Sequence, residues 1–201
     1  IGTPVLGFVN DAFFRYVTDL GLVGADRGKG GKYLLVGPDY EGEIPEGYFV
    51  SKTSTYRHWA LMRIAAKPGE TKEAIEAFKK AFKIYPLADA KNPKPTEFIN
   101  LSNNQYNTIH ANDASFYDEL NEVIQYEPAT AWDPELVGQA GAIGIKKGQT
   151  FKPDDRMKKI LSEASTIANA YARTVVFRPR NEAVYFYPGK RQWYSPLAGG
   201  S

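Results

Sequence analysis

The front part of the chain carries short apolar runs that are typical of β-strands. Two of them, Lys32–Val36 and Tyr48–Lys52, are rich in aromatic and β-branched residues and are bounded by Gly, Pro and Asp. The segment between them predicts a long, rigidified hairpin connection. Ala60–Ala66 predicts a third strand after a turn over Ser54–Trp59, whereas Phe8–Val17 lacks clean alternation and fits either a strand or a short helix.

Helical periodicity dominates the later part of the chain. Glu70–Phe82 has apolar residues at helical spacing, acids in its first turn and lysines toward its end, and predicts an amphipathic helix. After a short predicted strand at Phe98–Leu101, three more helices are expected. They cover Ala114–Glu127, a segment opened by Asp133-Pro134-Glu135, and the long pattern Phe151–Phe177, which Pro179 stops.

These elements predict an α+β fold with a β-rich, sandwich-like front part and one covering helix. We expect residues 1–105 to form this part, incomplete at its start, and 106–180 to form a helical connecting region. Residues 181–201, with aromatics around Pro188-Gly189, predict the opening strands of a second, incomplete β domain. Because strand edges and apolar stripes left uncovered invite association, we expect a homo-oligomer or contact with a further part of the chain.

Composition narrows the classes of function. Aromatic residues make up 13% of the chain, which is too rich for a disordered segment, and the formal net charge of +2 argues against a nucleic-acid partner. With no cysteine, disulfides, thiolate metal sites and cysteine nucleophiles are excluded. No apolar run approaches the roughly 20 residues that a membrane span needs. The sequence predicts no cofactor, and a metal site is not the favoured interpretation of any segment.

The stretch Gly24–Val50 is the densest in glycine and charge, with glycines at 24, 28, 30, 31 and 37. A phosphate cradle of the Walker type would require Gly where Asp26 stands and Ser or Thr where Tyr33 stands, and would open a helix, not a strand. We therefore interpret the glycines as structural. The neighbouring charges predict a loop cross-linked by its own ion pairs, with a polar pocket as the alternative.

A second stretch, Asn107–Asp113, contains one of the two histidines. His110 with Asp113 three residues later fits a pair for acid–base chemistry, or one edge of a metal site. Asn112 or Asp113 also directly precedes a predicted helix, where such residues serve as N-caps. The capping interpretation is favoured, and His110 and Asp113 remain the candidate catalytic residues.

Several segments together resemble bacterial proteins catalogued as domain of unknown function 1254. The similar segments, in the same order along the chain, are Gly24–Val36, Gly47–Val50, Ser54–Tyr56, Tyr85–Leu87, Asn107–Asp113, Phe177–Arg180 and Tyr185–Gly189. The resemblance implies a second domain, of the type catalogued as 1214, beginning near the end of this sequence. It also implies an export signal, hence a periplasmic or secreted location. It implies no settled reaction.

Three hypotheses about function follow. The first is an exported protein that binds a small molecule or glycan in a β-domain cleft; its candidate ligand residues are Lys29, Lys32, Tyr56, Arg63 and Asn107. Arg63 ranks first because the family pattern also has Arg there, although a cation in an apolar strand also snorkels to the surface. The second is a hydrolase-type enzyme using His110 with a nearby carboxylate. The third is a structural or assembly component of the cell envelope.

Overall fold

The computed structural model describes residues 4–195 and has the expected α+β architecture with a β-rich front part. The chain forms two compact units. One combines Ile1–Tyr106 with Tyr126–Leu136, and the other combines Asn107–Gln125 with Val137–Ser201. Among the described residues, no helix is long and apolar enough to cross a membrane.

The five strands found in residues 4–195 lie in the first unit. They are β1 (Val5–Asp11), β2 (Tyr16–Gly21), β3 (Tyr33–Val36), β4 (Phe49–Lys52) and β5 (His58–Ile64). β1 lies at the centre of an antiparallel sheet with the order β2-β1-β5, in which Asp11 lies opposite His58. The ambiguous segment Phe8–Val17 therefore contributes to two strands. A tight turn joins them, in which Phe14 has a left-handed backbone (φ 61°).

The second sheet corrects one prediction. β3 and β4 are strands, as their composition predicts, and they pair with each other. They run parallel, with Tyr33 opposite Phe49, so the predicted hairpin connection is wrong. Parallel neighbours need a crossover of about a dozen residues, and residues 37–48 supply it. As a result, the carboxyl ends of both strands meet at the same edge of the sheet.

Four helices follow, close to their predicted bounds. They are α1 (Thr71–Ala81), α2 (Phe116–Tyr126), α3 (Pro134–Ala142) and α4 (Asp155–Phe177). Asp154 caps α4, since its carboxylate accepts the N–H of Met157 at 2.7 Å. At the carboxyl end of α2, the ammonium of Lys147 donates to the carbonyl of Gln125 at 2.8 Å. This cation satisfies a carbonyl that the helix leaves without an internal partner.

Two predicted strand segments do not form strands. Phe98–Leu101 lies in irregular, exposed backbone. Within the predicted second β domain, Glu182–Val184 is a 3₁₀ turn and Tyr185 pairs with Tyr194 through a single bridge. Pro188-Gly189 folds the intervening residues into a short loop before a ladder can extend. Residues 196–201 of that domain lie outside the described residues.

Each unit has its own small core. Val9 and Val36 from the two sheets are buried in the first unit, together with Ala74 of α1. Ile145 is the most buried hydrophobic residue of the second unit, at 1% exposure, and Leu161 of α4 is buried there as well.

Candidate functional site

The glycine-rich loop is built around one buried carboxylate. Asp26 is 7% exposed and accepts hydrogen bonds from the backbone N–H of Gly21 and of Gly30, both at 2.9 Å. The hydroxyl of Tyr33 donates to the same carboxylate at 2.5 Å. Burial, followed by this hydrogen bond, raises the pKa of Tyr33 to about 12. The loop donors that a phosphate would need are thus held by Asp26, which favours the structural interpretation.

The two lysines of this loop lie away from any common centre. Lys29 is exposed, and its backbone N–H closes a turn to the carbonyl of Asp26. Lys32 places its ammonium 5.6 Å from the ring centre of Tyr48, a cation–π arrangement at the amino ends of β3 and β4. Within residues 4–195, neither lysine forms a hydrogen bond, an ion pair or a ring contact with another candidate ligand residue.

The remaining candidate ligand residues are also dispersed. Arg63 is exposed on β5 opposite Leu6, which fits a cation that reaches solvent from an apolar strand. Asn107 belongs to the second unit, where its side chain accepts the N–H of Ile109 at 3.0 Å. Of the five candidates, Tyr56 lies in a cluster that contains an acidic, a basic and a second aromatic side chain.

The structure does not bring His110 and Asp113 together. Asp113 accepts the N–H and the hydroxyl of Ser115 at 2.9 and 2.5 Å, and these bonds lower the pKa of its carboxyl. It therefore orders the turn that leads into α2. His110 is exposed, with Nδ1 2.9 Å from the carbonyl oxygen of Ala111 and its ring against Phe116.

A different cluster forms at the carboxyl ends of β3 and β4. We call it the Tyr56 surface, and it consists of Asp39, Tyr56, Arg57 and Tyr126. The hydroxyl of Tyr56 donates to Asp39, and the Tyr56 ring meets the Tyr126 ring edge-on at 6.1 Å. The guanidinium of Arg57 lies over Tyr126 at 3.8 Å from its ring centre. Tyr56 and Tyr126 are 41% and 48% exposed, so both rings are available to a ligand.

A buried carboxylate, that of Glu127, binds the backbone of this surface. Its side chain is fully buried, and its two carboxylate oxygens accept the backbone N–H of Tyr56 at 2.6 Å and of Arg57 at 3.1 Å. A buried carboxylate is costly unless hydrogen bonds stabilise it, and bonds to an ionised acceptor are stronger than neutral ones. Glu127 thereby fixes the backbone that carries the Tyr56 and Arg57 side chains.

Thr55 and Asp11 extend this buried polar network toward β1. The fully buried hydroxyl of Thr55 donates to the carbonyl of Arg57 at 3.0 Å and accepts the N–H of Ala12 at 3.3 Å. Asp11, 3% exposed, accepts the N–H groups of Phe13 and Arg15 and pairs with the Arg15 guanidinium at 2.6 Å. The network therefore ties the turn after β1 to the segment that carries the Tyr56 surface.

A histidine, His58, lies near the carboxylates of this network. Burial lowers its pKa, and the charges of Asp11 and Glu127 oppose that shift. Its Nε2 is buried and has no hydrogen-bond partner among the described residues, so the neutral ring is the favoured form. Within residues 4–195 no group of three or more His, Cys, Asp or Glu side chains is arranged to hold a metal ion.

The lowered pKa of His58 predicts a pH-dependent stability. As pH falls through about 6.5, the unfolded chain binds a proton at this histidine before the folded chain does. We expect the free energy of unfolding to decrease on acidification, by no more than about 1.4 kcal/mol per pH unit for one proton. Urea unfolding at about pH 8 and about pH 5.5 measures this.

The two histidines provide the controls for this experiment. His58→Gln should remove the His58 contribution to the acid-induced loss of stability, whereas His110→Gln should retain it because His58 is still present. If the two variants show the same pH dependence, His58 does not carry the effect.

Comparisons with known proteins agree with the fold and add no activity. Residues 2–86 match a family model described as "Protein of unknown function (DUF1254)", which supports that part of the resemblance. No curated protein matches the chain. The VPA0106 protein from Vibrio parahaemolyticus has a similar crystal structure, with a TM-score of 0.64 at 13% identity. The match covers 92% of this chain and 45% of that one, so this chain spans less than half of its neighbour's length.

Proposed function

We propose that the first unit is a binding module for a glycan, and that the Tyr56 surface is its binding site. The observation that carries the proposal is the clamp on Tyr56 and Arg57 by the buried carboxylate of Glu127. A ligand that meets this surface does not need to order the backbone of these two residues, so less conformational entropy is lost on binding. Exposed aromatic residues that are already ordered therefore suit a binding site.

The chemistry of the four side chains fits a sugar. Tyrosine rings offer an apolar face with a polar tip, which suits a pyranose ring whose faces are apolar and whose edges carry hydroxyl groups. The guanidinium is planar, and stacking on an aromatic ring fixes its orientation, so that its N–H groups can donate to hydroxyl or carboxylate oxygens. Asp39, next to the Tyr56 hydroxyl, adds an acceptor for sugar hydroxyl groups.

The wider setting of this function rests on the resemblance. We propose an exported, periplasmic or secreted protein in which a 1214-type domain accompanies the 1254-type part, and which associates as a homo-oligomer or through the further part of the chain. The exposed apolar residues of α4, including Ile167 at 61% and Tyr171 at 59%, support an additional contact of this kind.

Titration calorimetry with a panel of neutral and acidic oligosaccharides tests the proposal. We expect at least one glycan to bind, and Tyr126→Ala to weaken it about tenfold (about 1.4 kcal/mol), because the substitution removes one of the two exposed rings of the Tyr56 surface. Arg57→Lys should weaken binding as well, because an ammonium does not reproduce the planar, stacked guanidinium.

Tyr106→Ala is the matched control, because Tyr106 is 54% exposed in the same unit and is not part of the Tyr56 surface. The proposal fails if no glycan binds, or if Tyr106→Ala and Tyr126→Ala reduce the affinity equally.

A further inference from the structure

A short loop in the second unit combines cations and large aromatic residues. We call residues 185–194 the basic aromatic loop. Between Arg178 and Tyr194 the sequence contains four cations, namely Arg178, Arg180, Lys190 and Arg191, and a single acid, Glu182. The loop exposes Phe186 at 64%, Tyr187 at 54% and Trp193 at 70%. Such a concentration of exposed aromatics marks an interaction surface.

The loop has a defined backbone conformation. Tyr185 and Tyr194 close it through a bridge and an edge-on ring contact at 6.0 Å, and the N–H of Phe186 donates to the carbonyl of Trp193 at 3.0 Å. At its tip the carbonyl of Tyr187 accepts the N–H groups of Lys190 and Arg191 at 3.0 and 3.1 Å. The aromatic side chains are therefore exposed on an ordered turn.

A second set of contacts anchors the loop to its unit. Val184, directly before it, is buried at 7%, and the hydroxyl of Tyr185 donates to the carbonyl of Pro179 at 2.9 Å. The base of the loop is thus fixed, while its tip carries Lys190 and Arg191. One of these cations, Arg191, lies 6.0 Å from the ring centre of Tyr187.

We propose that the basic aromatic loop docks the protein on the surface of an anionic lipid bilayer. Trp and Tyr favour the interface between lipid and water, because each has an apolar ring and a polar group. Lys and Arg next to them are attracted to anionic headgroups and extend their charges toward the aqueous side. Charge complementarity selects this partner, since the positive charge is concentrated near the loop in a chain whose net charge is only +2.

Sedimentation of the 201-residue protein with lipid vesicles tests the proposal. We expect binding to vesicles of phosphatidylcholine mixed with phosphatidylglycerol, little binding to phosphatidylcholine alone, and weaker binding at high salt. The double substitution Lys190→Gln and Arg191→Gln should lower the partition coefficient about 25-fold, since each cation near an anionic surface contributes about fivefold (about 1 kcal/mol).

A matched control replaces one lysine and one arginine elsewhere in the same unit. Lys152 and Arg156 are both exposed, and Lys152→Gln with Arg156→Gln should leave vesicle binding nearly unchanged. Equal losses in the two double variants would overturn the proposal, because they would indicate a general effect of net charge. Absence of vesicle binding, or tighter binding to single-stranded DNA than to vesicles, would also overturn it.

Tryptophan fluorescence tests the contribution of the aromatic residues. On addition of anionic vesicles, Trp193 should move into a less polar environment and shift the emission to shorter wavelength. Trp193→Phe should remove this shift, because Trp59 and Trp132 belong to the first unit. If the shift persists in Trp193→Phe, the loop does not enter the interface. These outcomes are independent of the glycan titrations, which address the other unit.

Discussion

Replacing Glu127 with Ala is expected to destabilise the first unit by about 3 kcal/mol, the largest single effect that we anticipate. The change removes two hydrogen bonds to an ionised acceptor, each worth about 1.5–3 kcal/mol, and relief of the buried charge offsets part of the loss. The backbone N–H groups of Tyr56 and Arg57 lose these acceptors. Urea unfolding in a Trp193→Phe background measures this, since the remaining tryptophans, Trp59 and Trp132, report on the first unit.

Two further variants test whether the clamp is specific. Glu127→Gln keeps one acceptor oxygen and should have an intermediate effect, whereas Glu41→Gln, at an exposed loop position of the same unit, should have almost none. Amide hydrogen exchange at Tyr56 and Arg57 should accelerate in Glu127→Ala. Unchanged exchange at both amides would show that Glu127 does not hold this segment.

The second large effect is expected at Asp11. Asp11→Ala should cost about 2 kcal/mol, because the turn after β1 loses a buried acceptor for the N–H groups of Phe13 and Arg15. That turn also contains Phe14 in a left-handed conformation, which non-glycine residues adopt at some energetic cost. The same urea unfolding experiment measures the loss.

The ion pair between Asp11 and Arg15 provides the control for this variant. The Arg15 side chain is 50% exposed, so Arg15→Met should cost less than about 1 kcal/mol. Asp11→Asn, which retains one acceptor oxygen, should lie between the other two variants. If Arg15→Met is as destabilising as Asp11→Ala, the ion pair, and not the turn, accounts for the stability.

Local sequence patterns were sufficient for most of the regular structure. Acids, lysines and apolar spacing place α1 within one residue of its predicted ends, since Glu70–Phe82 was expected and Thr71–Ala81 is observed. The direction of β4 relative to β3 was not predictable in this way, because composition identifies a strand but does not identify its partner or orientation. Phe98–Leu101 shows the related error, in which a strand-like composition is found in irregular backbone.

The candidate site was harder to predict because its residues are distant in the sequence. Tyr56 was among the predicted ligand residues, but the carboxylate that fixes it, Glu127, is 71 positions away. A glutamate at the end of a predicted helix gives no local signal that it is fully buried. The one available hint was the Tyr126-Glu127-Pro128 sequence, in which the helix must end and an acid follows an aromatic residue.

The glycine-rich loop shows how a strong local pattern can indicate structure and not chemistry. Its glycines and lysines resemble a phosphate cradle of the Walker type. In the structure, however, the N–H groups of Gly21 and Gly30 donate to the carboxylate of Asp26. Asp26 was recognisable from the sequence only as a departure from the Walker pattern. The structure gives Asp26 a different role, since its buried carboxylate holds the loop backbone.

Chemical-shift mapping tests the central claim most directly. A ¹⁵N-labelled sample would be titrated with the glycan that binds tightest in calorimetry, and the amide shifts recorded. We predict that the largest changes occur at Tyr56, Arg57 and Tyr126, with a smaller change at Asp39. Changes confined to the glycine-rich loop or to the second unit would contradict the assignment of the Tyr56 surface as the binding site.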